Sequence, residues 1–337
     1  MRIAIDAMGG DHAPEEIIKG VLEASKILGK EDELILVGDE SIIKSYLSKL
    51  DAAESPIQIV HAPEVIGMSE KPVESIRKKR KSSIAILAKM AAKKEADAII
   101  SAGNTGACVA AGQLRMRNLP GVNRPGISVI LPTFGGPVTI CDVGANVSCK
   151  PINLYQYAVM SNIYSRHVTG IERPRLGLMG IGVEAEKGND LVKKTRELIE
   201  SDPNLNFTGF IEGRDIMNAA CDVVICEGFV GNIVLKLTEG VVDGLFGAIK
   251  KELIAESPEL AMKFKPVMKK IYEKYDYHEF GGGYLVGLNG TSMICHGSSK
   301  ARTILNSVLA CKELVSHKLN DQIVEYLSNT TVRGNGE

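Results

Sequence analysis

MRIAIDAMGGDHAPEEIIKGVLEASKILGKEDELILVGD, residues 1–39, changes its hydrophobic period twice. RIAIDAM (2–8) is a short apolar run that predicts a strand. PEEIIKGVLEASKILG (14–29) spaces its apolar positions by three and four and predicts a helix, and ELILVGD (33–39) returns to a strand. This is βαβ construction, which calls for a parallel pair with a helix on its face.

The rhythm continues outward. IQIVHAP (57–63) predicts a strand; Pro72 opens a basic helical stretch through Lys94, with a break at Ser82 and Ser83; DAIISAG supplies a strand from Asp97. Further strands are predicted at 126–133, 138–144, 175–182, 205–213 and 222–228, most of them separated by helical patterns. The expected class is α/β, a three-layer α/β/α arrangement with a mostly parallel or mixed sheet covered on both faces. LPTFGGPVTICDVG (131–144) reads as a hairpin around Gly135 and Gly136, and so as a mixed sheet or a subdomain near 125–150. A helical region spans 231–274 with a break near Ser257, its 240–280 portion expected to protrude. The glycine-rich HEFGGGYLVGLNGTSMICHGSS (278–299) follows, then one last helix from Ser298 toward Tyr326. Residues 1–330 are expected to form one large unit, with a flexible tail at 331–337.

Composition limits the function classes. Of 337 residues 45% are hydrophobic, enough for a sizeable core, and 40 Lys plus Arg balance 41 Asp plus Glu, which gives a nucleic-acid partner no global support. Seven cysteines without a CxxC pair fit buried thiols of a cytoplasmic protein better than disulfides or a zinc site. The first residues lack a basic leader with a long apolar core, and no later run reaches the length of a membrane span.

Five loops pair glycine with Asn, Asp, Ser or Lys: MGGDHAP, SAGNTG, DVGANVSCK, MGIGVEAEKGN and CEGFVGN. All five are expected beyond the carboxyl ends of parallel strands, where α/β folds collect ligands. In SAGNTG, Gly103 and Gly106 free the backbone while Ser101, Asn104 and Thr105 supply donors, so a phosphate cradle at a helix start is one reading. A helix cap with turn glycines is the other. Lys150 and Lys187 suit an anion or a developing oxyanion, or are surface charge; Asn146 and Asn232 suit an oxyanion or a turn. Asp6, Asp11 and His12 could move protons, but they form no recognisable ligand set, so no metal is expected. MGGDHAP lacks GxGxxG, and GxxxxGK[ST], GxSxG and HExxH are absent, so no cofactor is expected. Cys108, Cys149 and Cys226 read as packing residues, with no histidine signal to activate one.

Together, MRIAIDAMGGDHAP, EKPVESIRKKRKSS, SAGNTGA, DVGANVSCKP, CEGFVGN, LNG and HGSS resemble the bacterial acyl-ACP:phosphate acyltransferases of phospholipid synthesis, from Met1 to about Ser316. The resemblance implies transfer of a long fatty acyl group from acyl carrier protein to inorganic phosphate. It also implies a homodimer, and a fold like isocitrate and isopropylmalate dehydrogenases and phosphotransacetylase. The acyl phosphate would feed a glycerol-3-phosphate acyltransferase, which suggests a cytoplasmic enzyme with peripheral contact at the inner face of the cell membrane. The family motifs fall on 101–107, 142–146 and 228–232. Glu227 stands where the family has Asp, and Val183 and Ala185 replace a more polar run.

On this footing, phosphate on the Ser101–Gly106 loop, helped by Thr105 and Lys150, attacks the thioester directly. Lys187, Asn232 and Asn104 are the expected catalytic donors, and Asp11, His12, Asn146, Glu227, His296 and Ser298 are further cleft candidates. IRKKRKSS (76–83), with Arg77, Lys78, Lys79, Arg80 and Lys81, is either a docking patch for acyl carrier protein or a solvated helix face. ELAMKFKPVMKKIYEKYDY (259–277), with Leu260, Met262 and Phe264, serves core or dimer packing, or an anionic membrane surface. Two rivals stand beside this reading. One is a decarboxylating hydroxy-acid dehydrogenase, which needs nicotinamide, metal and carboxylate sites not evident here. The other is a non-catalytic module that binds acyl carrier protein or membrane.

Overall fold

The structure, a computed structural model, describes residues 1–184, 186–330 and 332. The expected tail at 331 and 333–337, and Ala185, lie outside the described residues. The chain begins β1 (Arg2–Asp6), α1 (Glu15–Ser25), β2 (Glu33–Gly38), α2 (Glu40–Lys49) and β3 (Gln58–His61), the βαβ rhythm read from residues 1–39. The basic stretch divides into α3 (Pro72–Lys78) and α4 (Ser83–Ala92) because the Ser82 hydroxyl caps the second helix, accepting from Ala85 N. Then come β4 (Ala98–Ser101), α5 (Thr105–Arg115), the hairpin β5 (Gly126–Thr133) and β6 (Gly136–Cys141), and α6 (Pro151–Thr169).

The second half continues with β7 (Arg175–Met179), α7 (Asp190–Glu200), β8 (Asn206–Ile211), α8 (Gly213–Ile216), β9 (Val223–Ile225), α9 (Gly228–Glu256) and α10 (Pro258–Tyr275). It closes with β10 (Gly283–Val286), β11 (Thr291–Ile294), α11 (Ala301–Ser316) and α12 (Leu319–Asn329). Two differences from the sequence reading stand out. The glycine-rich segment holds β10 and β11, and the single last helix is two, parted at Lys318, whose backbone is left-handed with φ 51°.

The described strands form one 11-stranded sheet in the order β3-β2-β1-β4-β11-β10-β5-β6-β9-β7-β8. Alternate residues feed opposite faces: Ile3, Ile5, Leu36 and Val223 pack with α1, α6, α7, α11 and α12, whereas Ala4, Ile35, Val37 and Val224 pack with α4, α5 and α8. This is the expected three-layer α/β/α class. No described helix is long and apolar enough to cross a membrane.

Strand direction corrects one expectation. β1 to β4 and β11 are mutually parallel, and β6, β9, β7 and β8 are mutually parallel, but β10 and β5 each pair antiparallel with both neighbours. The β6 half therefore runs opposite to the β1 half. The five glycine loops do not share one end of the sheet; they divide into two groups.

Candidate active site

The first group gathers after β1, β4 and β11. Asp6, at the end of β1, is buried, and its carboxylate accepts from the Ser101 hydroxyl at 2.7 Å and from Met8 N at 3.1 Å. Burial pushes the Asp6 carboxyl above the usual range, opposed by hydrogen bonds from Ser83, Ser101 and nearby backbone. Ser101 Oγ in turn accepts from Gly103 N at 3.1 Å. The two loops meet so closely that a Cβ on Gly9 would stand 2.7 Å from Gly103 N. The β11 loop joins them where Asp11 N donates to Gly297 O at 2.8 Å.

Asn104 holds a third loop to this group. Its Nδ2 donates to the carbonyls of Gly67 (3.3 Å), Met68 (2.9 Å) and Glu70 (3.1 Å), and its Oδ1 caps α5 by accepting from Ala107 N at 3.0 Å. Both polar atoms of the amide are thus engaged within the protein, and of the two readings the cap is the one this geometry supports. Glu70 continues the network: it accepts from Gly67 N at 2.7 Å and Ser75 Oγ at 2.9 Å, and pairs with Lys79. Those partners, Lys79 foremost, hold the Glu70 carboxyl at about 2. Thr105 is exposed at the first turn of α5, beside Gly106, which packs against Pro72.

The second group lies at the carboxyl ends of β6, β9 and β7. Asp142 is buried, and its carboxylate accepts from the backbone N–H of Ile127, Gly144, Ala145 and Asn146 at 2.8–3.0 Å. Burial raises its pKa and the four N–H groups oppose that rise. Asn146 Nδ2 donates to Pro125 O (2.6 Å) and Tyr157 Oη (2.8 Å), so this amide builds the loop. Glu227 caps α9, accepting from Phe229 N (2.6 Å) and Val230 N (3.1 Å). Lys150 stands at the N-cap position of α6. Lys187 is half-exposed in the β7 loop, 3.5 Å from Glu184.

α9 joins the two groups. Its first turn lies against the Asp142 loop: Gly228 N donates to Asn146 O at 2.9 Å, and a Cβ on Gly231 would overlap the Asp142 carbonyl. Asn232 stands beside Gly144. One turn further, Lys236 Nζ reaches His296 Nε2 in the β11 loop at 2.8 Å, and His296 Nδ1 contacts Ser298 Oγ at 2.7 Å. Burial and the Lys236 charge lower the His296 pKa, so its imidazole is neutral near pH 7. Sequence reading missed Lys236 and Glu70; the one available signal for Lys236 was its place one helical turn after Asn232. His12 is exposed at the entrance to α1.

The two loop groups offer cations and neutral donors but no ready thiolate. Burial pushes Cys108 to about 12 and Cys149 to about 11, and raises Cys226 well above its usual value. Among the described residues no three His, Cys, Asp or Glu side chains cluster as metal ligands. Of the basic patch, Lys78 pairs with Glu74 and Lys79 with Glu70, leaving Arg77, Arg80 and Lys81 as its exposed cations without an ion pair among the described residues. Leu260, Met262 and Phe264 lie on α10, which has no buried residue; Met262 is 69% exposed and Phe264 44%.

The fold has solved relatives. A phosphotransacetylase from Streptococcus pyogenes superposes with TM-score 0.64 at 17% identity, covering 94% of each chain. The EutD phosphotransacetylase from Staphylococcus aureus gives 0.59 at 15% identity, again over 94% of each. In sequence, the family described as "Fatty acid synthesis protein" matches residues 1–322. The phosphate acyltransferase of Desulforamulus reducens is 43% identical over 330 residues, 98% of each chain. That of Halothermothrix orenii is 45% identical over 322 residues, 94% of this chain and 95% of the relative. A chain matched at this identity along nearly its whole length belongs to the phosphate acyltransferase family.

Proposed function

We propose that this phosphate acyltransferase takes its acyl group from the thioester of acyl carrier protein and releases acyl phosphate, by direct attack of inorganic phosphate. What carries this reading is the chemistry of the loops: Lys236 is fixed against His296, the start of α5 is exposed, and the nearby cysteines have thiols that are held protonated. In the step, an oxygen of HPO₄²⁻ forms the new C–O bond, the C–S bond breaks, and the phosphate proton ends on the carrier thiol. Phosphate is already an anion, so positioning matters more than a strong base.

Thr105 and Gly106 contribute the α5 start to phosphate binding, on a loop built by Ser101, Gly103 and Asn104, with Lys150 as a further cation. Lys187 and Asn232 are the proposed oxyanion donors, and Asp11, His12 and Ser298 line the approach. Asn146 and Glu227 keep the second group of loops in shape. The test is incubation of purified acyl carrier protein thioester with the protein and inorganic phosphate, following thioester loss and acyl phosphate together. Equal amounts of both, dependent on phosphate, are expected; thioester loss without phosphate would mean hydrolysis.

The enzyme is proposed to act as a homodimer. Phe229, Ile233, Leu237, Val241, Leu245 and Ile249 form an i, i+4 ridge along α9, each 38–65% exposed, and Gly240 and Gly244 beside it have open space above them. Such a ridge packs into the groove of a second helix. Light scattering should give twice the chain mass, and Leu237→Arg should give the single-chain mass. Met262 and Phe264, interleaved with Lys263 and Lys265, suit peripheral contact with an anionic membrane on the cytoplasmic side, close to a glycerol-3-phosphate acyltransferase that would use the product. Flotation on anionic liposomes should be lost when Met262 and Phe264 become polar.

A further inference from the structure

We infer that Lys236 is the cation that holds the attacking phosphate and that His296 is the positioning residue fixing its ammonium. This rests on the phosphate acyltransferase reading above. A lysine ammonium has three N–H donors and no acceptor, so the 2.8 Å contact requires His296 Nε2 to be unprotonated and to accept. The ring proton then belongs on Nδ1, aimed at Ser298 Oγ at 2.7 Å, which outweighs the longer 3.4 Å approach of the Ser298 backbone N–H to the same nitrogen. The tautomer follows from the chemistry of the partners. A second N–H of Lys236 faces Glu239 Oε2 at 3.6 Å, one turn along α9. The third N–H is left for a ligand, and the lysine side chain is 50% exposed.

The position matters as much as the charge. Lys236 follows Asn232 by one turn, and Asn232 stands beside Gly144 of the second loop group. His296 belongs to the first group, whose Gly297 carbonyl receives Asp11 N. An anion on Lys236 is therefore placed on the helix that touches both loop groups, one turn from Asn232 and against His296. Four groups face His296: Lys236 and Glu239 from α9, His278 from the turn before β10, and Asp11 from the β1 loop. Protonating the imidazole would set an N–H against the ammonium and push Lys236 off its position.

Three variants test this, each checked for unchanged melting temperature, with wild-type acyl phosphate formation measured first. Lys236→Ala should raise the phosphate KM on the order of 10- to 100-fold and leave the carrier-protein KM unchanged. His296→Gln, whose amide oxygen can accept from Lys236, should keep wild-type phosphate KM at pH 7, while His296→Ala should raise it. Below the usual histidine range, about pH 6.5, the wild type should lose phosphate affinity faster than His296→Gln, since phosphate's own titration is common to both. A wild-type phosphate KM in Lys236→Ala, or identical acid limbs in wild type and His296→Gln, would overturn the assignment. If the wild type forms no acyl phosphate from the thioester, the underlying reading fails instead.

Discussion

Asn104 Nδ2 lies 2.9 Å from the carbonyl oxygen of Met68, one of three carbonyls that this amide ties to the start of α5. Its Oδ1 caps the helix, so Asn104 shapes the Ser101–Gly106 loop from within. Asp is as good a helix cap as Asn, yet its carboxylate would face three carbonyl oxygens. Asn104→Asp should therefore destabilise the protein at least as much as Asn104→Ala, by about 1–3 kcal/mol in urea unfolding. A fully stable Asn104→Asp would show that the pinning contacts are unimportant.

Glu70 makes that loop acid-sensitive. Its carboxyl has a folded pKa of about 2 against an ordinary 4.5, so its contribution is fully present above about pH 4.5 and is lost as pH falls toward 2. The melting-temperature gap between wild type and Glu70→Gln should be present at pH 7 and should close across that window. A gap that does not change with pH would rule out the charge as its source.

Asp142 supports the second group of loops. Replacement by Asn puts an amide NH₂ where Oδ2 accepts from Asn146 N at 2.8 Å or where Oδ1 accepts from three N–H groups. Asp142→Asn should lose about 1–3 kcal/mol of stability, measured by denaturant unfolding, because a buried donor is left facing donors. Unchanged stability would mean the loop rearranges freely.

Carrier docking should depend on the unpaired cations. Reversing Arg77, Arg80 and Lys81 to Glu should raise the acyl carrier protein KM on the order of tenfold at low salt and flatten its salt dependence. Reversing Lys78, already paired with Glu74, should do less. Equal KM values at all salt concentrations would move docking elsewhere.

Much of the fold was legible in the sequence because the elements are locally consistent. RIAIDAM, ELILVGD and GISVILPT are compact apolar runs, and Ser82 marks its own helix start. β10 and β11 were not legible: they have four residues each, set among Gly281, Gly282, Gly287 and Gly290, and gain strand character from pairing with β4 and β5. The hairpin of β5 and β6 was visible, but its effect on the direction of the second half-sheet depends on long-range pairing. The site shows the same limit. Asn104 was singled out by its neighbours, while its three carbonyl partners lie 34–37 residues away, and Lys236 was hidden in the apolar ridge of α9.

Direct attack by phosphate on the thioester needs no acyl-enzyme. A rapid-quench single turnover with acyl carrier protein thioester and ¹⁸O-labelled phosphate tests it, reading the released acyl phosphate and the intact protein mass together. Either route keeps all four labelled oxygens in the acyl phosphate, so the protein mass decides: direct attack predicts that it stays unmodified at every time point. An acylated protein that forms before acyl phosphate appears, and decays as it accumulates, would contradict the account.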